Sequence, residues 1–159
     1  MTDLEITFAD AHEMASRWSR APQVAEREFV AATNRLTLQG ERTAKQLAPV
    51  KTGNLRRAIT ASPATFGGGT VTGRWGVSVQ SKDGFPYHIT AERGRRGFSA
   101  SPGKVLVFTI GGRTIHTKRV RAAAGRWYMR GSANAVKPRI VPEYRGALSR
   151  IIAAIAGGG

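Results

Sequence analysis

The chain has 159 residues, of which 41% are hydrophobic, and a formal net charge of +15 with no cysteine. That length suits one domain with a modest core. The missing cysteines exclude disulfides, thiol catalysis and cysteine metal sites, and fit a cytosolic origin. No apolar run approaches the roughly 20 residues of a membrane span, and the start, Met1-Thr2-Asp3-Leu4-Glu5, lacks the basic and apolar regions of a signal peptide.

In chain order, Leu4 to Phe8 alternates as a short strand would. Asp10 can cap a helix over Ala11 to Arg20. Ala21-Pro22 predicts a break, with Pro22 in the first turn of a long helix reaching Leu47. Its apolar stripe is Ala25, Phe29, Ala32, Leu36, Ala44 and Leu47, with Gly40 in the missing slot. A glycine there costs about 1 kcal/mol of helix propensity, tolerable where another backbone passes close by. Pro49 stops the helix. Thr52 is a plausible N-cap for a short helix whose Leu55 and Ile59 form an apolar i, i+4 pair.

From Ile59 the pattern turns to β. Ile59 to Phe66 and Thr70 to Gln80 read as strands across Gly67-Gly68-Gly69. Pro86 to Arg93 suits a helical turn. Lys104 to Ile110 and Arg113 to Val120 read as a hairpin closed by Gly111-Gly112. Pro142 starts a closing helix in which Tyr144, Ala147, Leu148, Ile151, Ile152 and Ile155 follow helical spacing. Residues 93–103 and 121–131 read as long basic loops that order only on assembly or on meeting a partner. The sum is a single α+β domain over 1–159. It has an N-terminal arm and short helix (1–21), a long helix (22–48), a β-rich basic region (49–141) and a closing helix (142–156). The two main helices are expected to pack on a mostly antiparallel sheet, with extended basic loops.

The charge is unevenly placed. Residues 1–50 hold six basic and seven acidic side chains; residues 51–159 hold nineteen basic and three acidic. That asymmetry points to a polyanion or an acidic protein surface as partner. Nineteen of the twenty-five basic residues are arginine, which forks onto phosphate or carboxylate. By clustering, Arg56, Arg57, Arg95, Arg96, Arg119, Arg121, Arg126 and Arg130 are the candidate partner- or DNA-facing residues, and Trp127 with Tyr128 could stack on bases. His12, His88 and His116 have no metal-ligand spacing, no G-x-S-x-G occurs, and no G-K-[ST] follows the glycines. No catalytic, cofactor or metal residue is assigned, and no enzyme is expected. Glu92, among Arg93, Arg95 and Arg96, reads as an ion pair that positions its loop.

Pro49, Thr52, Gly53, Leu55 and Ile59 form the pattern P-x-x-T-G-x-L-x-x-x-I after a long helix. This resembles the signature of a tailed-phage (siphophage) neck or tail-completion family of small tail components. Tyr87 with Glu92-Arg93-Gly94, and Lys137-Pro138-Arg139 leading into a final helix, resemble further steps of that family. The resemblance implies a non-enzymatic virion protein of the head–tail connector, made in the bacterial cytoplasm, with no cofactor and no membrane. It implies a homo-oligomeric ring between head-closure and tail-terminator or tail-tube proteins, with possible non-specific DNA contact in its lumen. A tail-terminator subunit and a free, sequence-independent nucleic-acid-binding protein are the alternatives.

Overall fold

The computed structural model describes residues 11–50, 53–77, 87–110 and 112–156. The strand expected over Leu4 to Phe8, the Asp10 cap, Thr52 and the end of the strand expected to reach Gln80 lie outside them. The fold is α+β, with a long N-terminal helix, a C-terminal helix and small antiparallel sheets. The chain gathers into two compact units.

The first unit comprises Met1–Gly40, Ala61–Trp75 and Asn134–Gly159. It contains most of α1 (Ala11–Leu47), which runs unbroken through Pro22. The predicted break is therefore absent. Proline removes one backbone donor and crowds the preceding turn. Here that turn is the exposed stretch Trp18 to Arg20, where water can take the freed carbonyl, and the helix continues.

Strands β1 (Ile59–Gly67) and β2 (Thr70–Val77) form a hairpin through Gly68 and Gly69, both at positive φ. β2 lies on α1 at its smallest residues. A Cβ on Gly73 would meet the Thr33 and Thr37 methyls at 2.5 and 2.7 Å. A Cβ on Gly40 would stand 2.5 to 2.9 Å from three atoms of the Trp75 indole. The close approach that justifies Gly40 is thus an aromatic ring, not a backbone. The Ala64 N–H donates to Asn34 Oδ1 at 2.7 Å, pinning β1 to the same helix face.

The sequence predicts one closing helix from Pro142. Instead α4 (Tyr128–Val136), a 3₁₀ turn at Lys137–Arg139 and α5 (Ile140–Ala156) follow in succession. Pro138 enters the 3₁₀ turn at its start, and Pro142 falls within the first helical turn of α5, where its missing N–H costs nothing. α5 runs antiparallel to α1. Arg139, at the end of the 3₁₀ turn, donates to Gln39, and from α5 onward Arg35 donates to Glu143 and Arg150 to Glu28, in reverse order along α1. Between them Thr33 Oγ1 donates to the Phe29 carbonyl and shares a 2.6 Å bond with the Tyr144 hydroxyl. Phe29 packs on Tyr144 with ring centroids 5.8 Å apart. The hydrogen bond from Arg150 holds the Glu28 carboxyl below its usual range. Of the predicted α5 stripe, Ala147 and Ile151 are buried, whereas Leu148 and Ile152 are exposed.

The second unit comprises Glu41–Thr60 and Gly76–Ala133. Here the α1 stripe reaches buried Ala44, but its expected last member Leu47 is exposed, and Ala48, just past the helix, is buried instead. After Pro49 the chain turns into α2 (Asn54–Ala58). The residue at its N-cap position is Gly53, at φ 75°, which replaces the expected Thr52 cap. Leu55 and Ile59 are both buried as an i, i+4 pair. Nothing lies near a Cβ on Gly53, so only backbone conformation restricts this site. Gly53→Val is expected to lose about 1–2 kcal/mol and Gly53→Asn clearly less, in urea melts. Equal losses would show that the left-handed turn is not the constraint.

From Gly94 to Ala124 this unit carries a run of antiparallel two-stranded pairs, a ribbon. β3 (Gly94–Arg95) and β4 (Phe98–Ser99) pair with β8 (Ala123–Ala124) and β7 (Arg119–Val120). Gly94 faces Ala124, and Phe98, four residues on, faces Val120, four residues back, so both pairs keep one register. Beyond them β5 (Leu106–Ile110) pairs with β6 (Arg113–Thr117), with Ile110 opposite Arg113 and Gly112 at φ 79°; Gly111 of the expected Gly-Gly closure lies outside the described residues. The break in register is local: residues 100–105 stand opposite Lys118 alone. The two segments expected to be loops until a partner arrives are therefore partly ordered: Gly94–Arg95 pairs with Ala123–Ala124, Phe98–Ser99 pairs with Arg119–Val120, and residues 128–131 begin α4. Their strands are two residues long and partnered far along the chain, which leaves no alternation to read. The expected single sheet is accordingly a set of separate two-stranded pieces.

A candidate partner-binding site on the basic ribbon

The base of the ribbon is fixed by glycines. A Cβ on Gly94 would strike the Ala123 carbonyl oxygen, and one on Gly125 the Glu92 carbonyl oxygen. Only glycine allows these backbones to touch. Just beyond, the N–H groups of Arg126 and Trp127 donate to the carbonyls of Ala91 and Glu92 at 2.9 and 3.0 Å. Both crossings tie α3 (Tyr87–Arg93) to the segment entering α4.

Glu92 serves this junction. Its two carboxylate oxygens accept the Met129 and Arg130 N–H groups at 2.9 and 3.0 Å. The carboxylate thus caps α4, where unpaired N–H groups and the helix dipole favour negative charge. Glu92 does position the loop, but through backbone N–H groups rather than the expected arginine ion pair. Trp127, at the α4 N-cap, takes φ 50°, a costly conformation for a bulky residue. Its carbonyl accepts the Gly131 N–H at 2.7 Å. The turn leaves Trp127 46% exposed, with the Arg130 guanidinium carbon 5.6 Å from the ring centroid, within cation–π range.

Tyr128 points the other way. It is fully buried, and its hydroxyl donates to the His88 carbonyl at 3.4 Å. It is therefore not available to stack on a base, contrary to the sequence reading. Burial, with smaller contributions from Glu92 and Tyr87, pushes its phenol up to about 12. A raised phenol pKa contributes stability below the ordinary value near 10 and loses it as pH climbs to about 12. Stability is expected to fall across that window in the natural protein, and less steeply in Tyr128→Phe. Parallel pH profiles for the two would remove the burial argument.

An open cleft of about 700 Å³ sits against the ribbon base. Its walls include Tyr87, Thr90, Ala91 and Ala124, with Arg95 and Arg126 among the lining residues. Of the expected partner-facing arginines, Arg95 and Arg126 therefore share one cleft. Arg95, Arg96, Arg119 and Arg121 line the ribbon and are exposed. Arg130 joins Trp127. Arg56 and Arg57 are elsewhere, beside the end of α1 with Lys45 and Gln46. Arg56 donates to the Ala48 and Gln46 carbonyls at 3.3 and 3.5 Å, a C-terminal cap for α1, and Arg57 donates to Asn54 Oδ1 at 2.7 Å.

The sequence reading named Tyr87 only as part of the resembling motif, not as a cleft residue, and missed Thr90, which no local signal marks. It also missed the Trp127–Arg130 pair, whose i, i+3 spacing at a helix start was available. Chemically the ribbon presents forked cations and an exposed indole, suited to carboxylate or phosphate. Among the described residues no three His, Asp or Glu side chains gather as a metal site, and no helix is long and apolar enough to cross a membrane. Neither protein-family models, nor characterised proteins, nor solved structures yield a match to this chain.

Proposed function

We propose that this protein is a structural subunit of the head–tail connector of a tailed phage, a neck or tail-completion component forming part of a ring through which DNA passes. The observation that carries the reading is the elbow from Pro49 to Ile59. The described residues of the resembling motif are those that set its course: Pro49 after the helix stop, left-handed Gly53, and buried Leu55 and Ile59. The arginine-lined ribbon adds support, because contact with passing DNA needs phosphate-compatible charge and no base reading. A ring also needs a head-to-tail contact that closes by rotation.

The second reading, free sequence-independent nucleic-acid binding, is favoured by the exposed Trp127 beside Arg130 on the same basic unit. Electron microscopy of particles carrying a tag at the C-terminal glycines separates the two. Label confined to the head–tail junction is expected. Protein recovered on nucleic acid, with no labelled particle, would overturn the connector reading. The Arg95→Glu/Arg96→Glu double variant should fold normally and lose infectious particles. Normal particle yield would remove the ribbon from the assembly surface.

A further inference from the structure

We propose that the cleft at the ribbon base holds an acidic segment of a partner protein. A carboxylate of that segment is taken by Arg95 and Arg126, and an apolar side chain beside it rests against Pro49, Tyr87 and Ala91. This assignment stands whether or not the protein is a connector subunit. Both arginines spring from fixed backbone. Arg95 pairs with Ala123 across the ribbon. Arg126, three residues beyond Ala123, has its N–H on the Ala91 carbonyl at 2.9 Å. The close backbone approach at Gly94 and Gly125 locks the two strands together here. The arginines are exposed, and among the described residues neither guanidinium has a hydrogen bond or an ion pair. Arg35, Arg56, Arg57 and Arg150, by contrast, all donate to a protein acceptor. No acidic residue is among the described residues lining the cleft. The nearby Glu92 has both carboxylate oxygens on the Met129 and Arg130 N–H groups. Two unpaired guanidiniums in one cleft therefore suit an anion from outside the chain.

The walls decide which anion. Pro49, Tyr87, Ala91 and Ala124 give the cleft apolar surface beside its cations. A DNA duplex brings a phosphate at every step of its backbone and no apolar group for such walls to cover. A single strand asks for aromatic platforms on which successive bases stack, and the lining has one ring, that of half-buried Tyr87. A free small molecule needs roughly 70–90% of its surface buried, which an open cleft of about 700 Å³ does not provide. An extended peptide brings carboxylates and apolar side chains together, and the rest of its own protein supplies the remaining contacts.

Fluorescence anisotropy with a labelled hexapeptide of alternating glutamate and leucine, at low ionic strength, is the test. Arg95→Ala and Arg126→Ala should each weaken binding about tenfold, the scale of one hydrogen bond to a charged group. Arg119→Ala and Arg121→Ala, exposed on the ribbon but outside the cleft lining, should leave binding unchanged. Serine in place of the peptide's leucines should also weaken it, because the walls then cover nothing apolar. Ala124→Trp, at an exposed position of the lining, should obstruct the cleft with both arginines still in place. Circular dichroism checks that each variant keeps its fold. No binding at millimolar peptide, equal losses from all four arginine variants, or equal affinity for the serine peptide would each overturn the assignment. So would a short DNA duplex that binds the natural protein and loses affinity chiefly with Arg95→Ala and Arg126→Ala, since the cleft would then belong to phosphate. None of these readouts involves particle assembly, so a failure here leaves the connector reading where it was.

Discussion

Replacing Gly40 with alanine should destabilise the protein by about 1–3 kcal/mol. The expected sign is the informative part. In an exposed helix the same change stabilises by about 1 kcal/mol. Here the new methyl would stand 2.5 Å from Trp75 Cε2 and 2.7 Å from Cδ2, inside van der Waals contact. The indole must swing away, uncovering the helix face and loosening β2, whose Gly73 rests on Thr33 and Thr37. In a Trp75→Ala background the obstacle is gone. Gly40→Ala should then stabilise, so the pair shows a coupling that reverses sign. Urea unfolding of the four proteins measures it. An equal gain from Gly40→Ala in both backgrounds would mean that Trp75 does not rest on the glycine.

Glu92→Ala should cost about 1.5–3 kcal/mol, the range for hydrogen bonds to a charged group. The loss should centre on α4. Two amide donors, Met129 and Arg130, are left without their acceptor, and the helix dipole loses its compensating charge. Glu92→Gln keeps one good acceptor oxygen and should fall between. Amide exchange is the decisive readout, because the Met129 and Arg130 protons should lose protection before those of α1. If those two amides keep their protection in Glu92→Ala, the carboxylate does not cap the helix. Since the same turn holds Trp127 at positive φ, Trp127 fluorescence should shift in step with the exchange.

Apart from α4, whose residues read as loop, the helices were largely legible in the sequence because their signals are local. The stripe through Ala32, Leu36, Gly40 and Ala44 follows from residue spacing, and the stop at Pro49 from ring geometry. The continuation through Pro22 was not legible, because a proline's effect depends on whether solvent can take the freed carbonyl. The ribbon was half legible. Its outer hairpin announces itself by apolar runs around Gly111-Gly112, but its base depends on pairing between residues such as Gly94 and Ala124. Composition there shows only glycine and arginine, which also make loops. The candidate site followed the same division. Charge clustering found Arg95, Arg96, Arg119, Arg121 and Arg126, which the structure carries on the ribbon or at its base. It also gathered Arg56, whose guanidinium is spent on the end of α1. The cap formed by Glu92 joins residues 37 and 38 positions apart, and no spacing rule reaches that far.

The excursion at residues 100–105 gives the ribbon a natural place for foreign sequence. It holds a tight turn, with the Lys104 N–H on the Ser101 carbonyl at 2.9 Å and Gly103 at φ 74°. Residues 101–105 are exposed. The ladders on either side already run in different registers, so neither depends on the length of what lies between them. Exposed loop tips of this kind tolerate insertion better than paired strands. An epitope or fluorophore-binding peptide spliced after Pro102 would therefore mark the ribbon itself and leave both ends of the chain untouched.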